Sequence, residues 1–385
     1  MSESPLAVVL ATLDTKRRET EFLVNRLRRF GLACEVLDTS LESGGKLLSG
    51  EEKVNAMREA SEKASLAVGR AAARDAKVFV GMGGGTGAQV AATAMMTLPL
   101  ETPKLLVTTL ASDLREFAAL NGIVLVPTIA DLVGTGPAIR NSLSSAAAMA
   151  SALAKDVERD EIRDRSAIGI TALGVVAPIV DSVVERLESA GHETATFHAN
   201  GYGGAAFSKW ARRGLFSGMM DCATHEVTRL LYETGSSLLS DRLAGHAGSP
   251  RVLLPGGINF FTKGAIEALG GDDLGRPHYR HSPAFTHVAL KDDEMADAAR
   301  IIACSLNGSE GECAIVLPMG GFSTEDRDGG AIENRSGRNA FAEELRSSLN
   351  SAAAVIELDS HINDRETAFV AADALLRMMP KEAEK

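Results

Sequence analysis

Residues 6–40 read LAVVLATLDTKRRETEFLVNRLRRFGLACEVLDTS, and residues 166–200 read SAIGITALGVVAPIVDSVVERLESAGHETATFHAN. The first stretch opens on a short, continuous apolar run from Leu6 to Leu13, as expected of a strand buried on both faces of a parallel sheet. Phe22, Leu23, Arg26 and Leu27 follow at helical spacing, and Gly31 sits where a helix would stop. A second strand, Cys34 to Leu37, then delivers Asp38 to its C-terminal end. Setting Leu13 on Leu173 also aligns Arg26-Leu27 with Arg186-Leu187 and Gly31 with Gly191, without a gap, at a constant offset of 160 residues. A single βαβ match means little, because the pattern is common. A gapless register over a whole unit near the chain midpoint predicts two halves of similar architecture.

The rest of the chain fits that reading. Its 385 residues are too many for one ordinary core and suit two domains. Further apolar runs predict strands at 77–80, 104–109 and 123–126 in the first half. In the second half they fall at 251–254, 286–290, 313–317 and 354–358. Helical patterns between most of them point to an α/β fold of two Rossmann-like, doubly wound halves with mainly parallel sheets. The Ala-rich run 142–154, continuing into the charged stretch 155–165, reads as one long helix closing the first half. The domains are therefore expected at 1–165 and 166–385.

Composition narrows the function classes. A net charge of −11 opposes nonspecific binding to a phosphate backbone, and aromatics at 4% leave little for stacking on single-stranded nucleic acid. No nucleic-acid partner is expected. The four cysteines, Cys34, Cys222, Cys304 and Cys313, form no CxxC pair and read as reduced thiols of a cytoplasmic protein. The first apolar run lacks a basic flank and ends in Asp14, so it reads as a strand rather than a signal peptide. No stretch reaches the roughly 18 uninterrupted apolar residues of a membrane span.

Ligands of open α/β sheets bind beyond the carboxyl ends of the strands, so the strand exits carry the chemistry. The first candidate is VFVGMGGGTGAQVAATAMM at 78–96, a strand running into Gly81, Gly83, Gly84, Gly85, Thr86 and Gly87, then a helix. Glycines let backbone N–H groups approach a phosphate, and the helix N-terminus adds partial positive charge. No Gly-Lys-Ser/Thr follows, so this is not a Walker A loop, and Thr86 breaks GxGxxG. The bland reading is a tight turn needing glycine for positive φ. Five glycines in the seven residues 81–87 exceed what a turn requires and favour phosphate binding.

A second exit carries Thr12, Asp14, Thr15 and Lys16. Thr15 fits a helix cap, whereas Asp14 fits a ribose or Mg²⁺ and Lys16 a phosphate; both readings stand. A third carries Thr108, Thr109, Ala111, Ser112 and Asp113, either a hydroxyl-lined nucleotide wall or an N-cap at Ser112 or Asp113. Asp131 closes a fourth and weaker one. The second half adds His198-Ala199-Asn200-Gly201-Tyr202-Gly203-Gly204, the cluster Asp221, Thr224, His225 and Glu226, and two glycine loops at 255–259 and 318–321. It ends on Asp359-Ser360-His361-Ile362-Asn363-Asp364. His278 and His281, with His287 nearby, lack an acidic ligand at diagnostic spacing and read as surface or hydrogen-bonded histidines. No GxSxG elbow supplies a nucleophile for His361.

Taken in order, ATLDTK, GMGGGTG, KLLVTTLAS, FHANGYGG, THEV, PGGINFF, HSP, VLPMGGFS and SHIND resemble the Tm-1-like ATP-binding (UPF0261) family over about residues 5–375. Each motif is modest alone; their shared order is specific. The resemblance implies two Rossmann-like subdomains with ATP and Mg²⁺ in the N-terminal one. It puts nucleotide contacts on Thr12, Asp14, Gly83, Gly84, Gly85, Thr86, Gly87, Thr108, Thr109 and Ser112. A plant member is an antiviral protein that binds a viral replication protein. Many members are fused to or encoded beside a TIM-barrel domain, which makes a TIM-barrel protein an expected partner. The sequence departs from the family pattern at Arg17 and Asp113, each where glycine is usual, and at His225, where threonine is usual.

The leading expectation is an Mg-ATP-binding protein with a small carboxylate or sugar-acid substrate in the cleft between the halves. Asp14 and Asp113 would hold the metal, and Lys16 and the glycine amides the phosphates, with Asn200 and Gly203 adding contacts from the second half. His361 and Glu226 are the candidates for proton transfer, with Asp364 beside His361. Two alternatives keep the fold: a noncatalytic nucleotide sensor or protein-interaction module, and a sugar-acid or carboxylate enzyme that does not use ATP. A homodimer is the general expectation for such a chain.

Overall fold

The computed structural model describes residues 4–41, 48–155, 165, 167–233, 242–243, 247–308, 311–350 and 353–380. The chain divides into two compact units, Met1–Ile162 and Arg163–Lys385.

The first unit is a five-stranded parallel sheet of β1 (Leu6–Ala11), β2 (Ala33–Asp38), β3 (Val78–Gly83), β4 (Lys104–Thr108) and β5 (Val124–Pro127), in the order β2-β1-β3-β4-β5. The connecting helices are α1 (Leu13–Arg29), α2 (Gly50–Ala72), α3 (Gly85–Met95), α4 (Arg115–Asn121) and α5 (Pro137–Leu153). Alternate residues of β1 divide between two cores. Ala7, Val9 and Ala11 pack with Leu23 and Leu27 of α1 and Leu143 of α5, whereas Val8 and Leu10 pack with Val68 of α2 and Ala91 of α3. Burial on both faces is why this strand is apolar throughout instead of alternating. The short Ala side chains of α3 let that helix lie close to the sheet.

The second unit holds β6 (Ala167–Ala172), β7 (Glu193–His198), β8 (Phe216–Asp221) and β9 (Arg251–Leu253). It continues through β10 (Phe260–Lys263), β11 (His278–Arg280), β12 (Thr286–Ala289), β13 (Cys313–Pro318) and β14 (Ala353–Leu358). Six of these form a parallel sheet in the order β14-β13-β9-β8-β6-β7. Its helices are α6 (Ala177–Ser189), α7 (Tyr202–Arg212), α8 (His225–Tyr232), the short α9 (Gly271–Leu274), α10 (Asp292–Asn307), α11 (Arg335–Ser348) and α12 (Arg365–Met378). Helices α6 and α12 cover one face of the sheet, and α10 and α11 pack on the other.

Each unit is therefore a Rossmann-like layer of mainly parallel strands between helices. The apolar run 286–290 is a strand, but β12 lies outside the parallel sheet and pairs antiparallel with β10 and β11. Strand β8, near the middle of the main sheet, was not anticipated. Ser217 and Gly218 interrupt its apolar run, and a Cβ on Gly218 would come within 3.3 Å of Leu375 and Met379 in and beside α12. Helix α5 begins earlier than expected, at Pro137, and ends at Leu153; the expected continuation over 156–164 lies outside the described residues.

The 160-residue repeat extends to backbone angles. Gly31 and Gly191 both end their helices at φ +88°. Lys16 bends the first turn of α1 at φ −123°, ψ 22°, and Val176, 160 residues on, bends the chain before α6 at φ −129°, ψ 19°. Among the described residues no helix is long and apolar enough to cross a membrane.

Candidate functional site

The crevice of an open parallel sheet lies where the strand order reverses. In the first unit that point is between β1 and β3, since β2 flanks β1 on one side and β3 to β5 extend on the other. Register places Ala11 beside Met82, and Gly83 beside Thr108, so the exits of β1, β3 and β4 leave the sheet at one level.

The glycine loop sits at this point, and its glycines serve different ends. A Cβ on Gly81 would meet Leu106, Ala91 and Met95 at 2.8–3.0 Å, so this glycine lets α3 pack on the sheet. A Cβ on Gly83 would lie 2.5 Å from the Ala88 amide, which the tight strand-to-helix turn forbids. Gly84 and Gly85 are different: their nearest neighbours would be Thr109 Oγ1 at 3.9 Å and the Ala111 Cβ at 3.7 Å, ordinary contact. None of the loop's glycines has positive φ, which removes the bland reading in the form the sequence offered it. The same neighbours, with Thr12 Cγ2 at 3.2 Å from a Cβ on Gly87, show that the loop faces both flanking exits.

Three helices start at these exits, and the protein caps two of them. At α1 the Leu13 amide donates to Asp38 Oδ1 at 3.1 Å, and the Asp14 amide donates to Ser40 Oγ at 3.1 Å. At α4 the Arg115 amide donates to Asp113 Oδ1 at 3.0 Å. Helix α3 begins on Gly84 with no side-chain cap and no acidic residue in its first turn. The first amides of any helix lack intrahelical acceptors and carry partial positive charge. Nearby, the Ser112 hydroxyl is buried without a partner. Thr108 is buried, with its hydroxyl accepting from the Leu110 amide at 3.2 Å. Leu110 itself is exposed at φ +55°, a left-handed conformation that costs a leucine about 1–2 kcal/mol.

Several expectations change here. Thr15 does not cap α1: it lies inside the helix, and its hydroxyl pairs with that of Thr12 at 3.1 Å. Asp113 is chelated by its neighbour, with Arg115 Nε at 2.9 Å from Oδ1 and Nη2 at 2.6 Å from Oδ2. Asp14 is exposed, and among the described residues no group of three or more His, Cys, Asp or Glu side chains could hold a metal ion. A groove of about 690 Å³ between α2 and α3, lined by Met57, Leu66, Val90 and Phe117, includes no strand-exit residue.

The corresponding point of the second unit, between β6 and β8, is filled by protein. Asp221 ends β8 fully buried; Arg242 Nη2 lies 2.5 Å from its Oδ1 and Nη1 3.2 Å from its Oδ2, and Thr171 Oγ1 donates to it at 2.8 Å. Arg242 Nε and the Gly201 amide both donate to Glu226. Burial would raise the Asp221 carboxyl, but the charge and hydrogen bonds of Arg242, the Arg251 charge and the Thr171 hydrogen bond together outweigh it and hold the group below its usual value. For Glu226, burial prevails and raises it despite Arg242. Both Glu226 oxygens are engaged in the interior, which makes this residue part of a buried ion pair rather than a proton donor open to substrate. The glycines of the 201–204 loop have internal reasons as well: a Cβ on Gly203 would strike the His198 carbonyl, and one on Gly204 the Glu226 carboxylate. Asn200 is held by Arg229, whose Nη1 donates to both its carbonyl and its Oδ1 at 2.8 Å.

His361 has both ring nitrogens in use. The Asn363 amide donates to Nδ1 at 3.1 Å, so the proton sits on Nε2 and goes to the Ser323 carbonyl at 2.9 Å. Asp364 Oδ2 accepts from the His361 amide at 2.7 Å. These bonds shape the loop after β14 and leave the imidazole engaged within it. Three other histidines stack with a phenylalanine: His281, His287, Phe260 and His225 follow one another at ring-centroid distances of 4.5, 4.0 and 4.5 Å. Burial pushes His225 down to about 4 and His287 down to about 3. No sequence signal marked Arg242, a lone arginine whose role depends on partners 16 and 21 residues away.

Comparison with known proteins accords with this architecture. A UPF0261 protein of Rhizobium meliloti is 32% identical over 95% of this chain and 97% of its own length. One of Clostridium tetani is 27% identical over 97% and 99%. The ToMV resistance protein Tm-1(GCR237) of Solanum lycopersicum is 29% identical over 78% of this chain, which spans 41% of that longer protein. Residues 41–159 match the N-terminal domain, and residues 165–379 the C-terminal domain, of an uncharacterised protein family, and the chain thus belongs to UPF0261.

Proposed function

We propose that the first unit binds a nucleotide by its phosphates at the N-terminus of α3, with Mg-ATP as the ligand. The observation that carries this reading is the contrast among the three helix starts: α1 and α4 have carboxylate acceptors from the protein, and among the described residues α3 has none. Amides there, on a backbone bared by Gly84 and Gly85, suit phosphate oxygens. The hydroxyls of Thr86 and Ser112 are further donors at the same exits. Gly83 and Gly87 hold the turn in the shape that presents these amides.

The metal fits as part of the ligand. With Asp113 taken by Arg115 and Asp14 out in solvent, Mg²⁺ would be held by phosphate oxygens and its own waters, as is usual for this ion. The protein's part is then to bind and orient the phosphates. Isothermal titration with Mg-ATP tests the reading: saturable binding is expected, and an absence of binding at millimolar nucleotide would sink it. Gly85→Ala serves as the matched control. Its Cβ would meet only the Ala111 Cβ, at 3.7 Å, and would stand where a phosphate approaches, so affinity should fall while thermal stability holds.

A further inference from the structure

We infer that Asp38 receives the ribose hydroxyls of the bound nucleotide, so that the first unit selects ribonucleotides over deoxynucleotides and over bare polyphosphate. The inference rests on the phosphate site above and adds a second anchor to it. Asp38 ends β2 beside Ala11 of β1, which in turn lies beside Met82 of β3. Neighbouring strands are about 4.8 Å apart, so the carboxylate stands two strands, about 10 Å, along the sheet edge from the glycine loop. Phosphates anchored at α3 and running across the β1 exit would bring the sugar to β2. On the opposite side, at β4, the corresponding carboxylate is Asp113, and Arg115 holds both of its oxygens.

The Asp38 carboxylate is also pre-set. Its Oδ1 accepts from the Leu13 amide at 3.1 Å, the Ser40 amide at 3.0 Å and the Ser40 hydroxyl at 2.5 Å. Three donors on one oxygen fix the group's orientation and, among the described residues, leave Oδ2 as an acceptor on an exposed residue. Burial would raise this carboxyl, but the Ser40 and Leu13 hydrogen bonds outweigh it and keep the group below its usual value, hence ionised. An ionised carboxylate only accepts hydrogen bonds, and a vicinal diol supplies two donors to it. The second unit lacks the device: 160 residues on, Asp38 and Ser40 are replaced by His198 and Asn200.

The test compares ATP, 2′-deoxy-ATP, 3′-deoxy-ATP and tripolyphosphate, each with Mg²⁺, by titration against the wild-type chain and Asp38→Asn. Asparagine keeps an oxygen for Leu13 and Ser40, and thermal unfolding monitors that the variant is folded. ATP should bind about ten-fold or more tightly than either deoxy form, the worth of one hydrogen bond to a charged group. Asp38→Asn should bring ATP down to the deoxy level and leave tripolyphosphate unchanged. Equal binding of ATP and its deoxy forms by the wild type overturns the ribose assignment while the phosphate site stands, and so does a preference for ATP that survives in the variant. Failure of all four ligands to bind overturns the phosphate reading itself.

Discussion

The two units place the same sheet reversal under opposite conditions. In the first, the reversal between β1 and β3 opens on glycines and on a helix start with no side-chain cap among the described residues. In the second, the reversal between β6 and β8 is packed with Asp221, Arg242 and Glu226, all buried. Loops from β13 and β14 also reach across to it: the Thr324 amide and Asn363 Nδ2 both donate to the Val175 carbonyl, at 3.0 and 3.1 Å. A shared strand order therefore fixes where a ligand crevice can form. The side chains at the exits decide whether it is one.

The largest effect should come from emptying the filled site. Arg242→Met leaves two carboxylates buried without their cation and should destabilise the second unit by about 3–5 kcal/mol, measured by denaturant unfolding. Adding Glu226→Gln should recover part of that loss. A loss below about 1 kcal/mol would mean that the arginine is not what holds this region together.

Acid should separate the units next. All eight histidines lie in residues 192–361. His225 and His287 have folded values pushed down to about 4 and about 3, below the unfolded value near 6.5. Below pH 6.5 the unfolded chain therefore binds more protons at these sites than the folded one. Stability is full above 6.5 and falls as pH drops toward 4 and 3, by about 1.4 kcal/mol per pH unit for each histidine. His287→Phe, which keeps a flat ring in the stack, should flatten this slope in a series of unfolding curves between pH 7 and pH 5. The first unit, without histidine, should show no transition of this origin.

Within the glycine loop the comparison becomes finer. Gly83→Ala meets backbone and should cost about 1–3 kcal/mol. Gly84→Ala has room and should change stability by less than about 0.5 kcal/mol, while its methyl group weakens nucleotide binding. If both variants unfold alike, the division of labour among these glycines is wrong. The smallest effect belongs to Leu110. Replacing it by glycine relieves a left-handed leucine, with a net gain of up to about 1 kcal/mol in thermal unfolding.

Much of the architecture can be read from residues 6–40 and their repeat, because strand burial and helix stops are local signals. The glycine loop is legible for the same reason: five glycines in seven residues where a strand passes into a helix have few uses. What local pattern does not carry is the choice of partner. Asp113 and Asp38 both end up beside helix starts, yet one is chelated by a neighbour two residues on and the other caps an amide 25 residues back. Glu226 and His361 look reactive as letters, but Arg242, 16 residues on, donates to the carboxylate, and the imidazole donates to the Ser323 carbonyl 38 residues back. The strand at 286–290 was visible as apolar sequence, whereas its antiparallel pairing depends on β10 and β11 being at hand.

The matched bends at Lys16 and Val176 carry one more consequence. A long cation and a branched aliphatic residue take nearly the same backbone angles, so the bend is set by how the chain must leave its strand and begin its helix, and not by which residue stands there. The βαβ stretch thus behaves as an interchangeable part: its frame tolerates rewriting, and new specificity can be installed at the exits without redesigning what holds them.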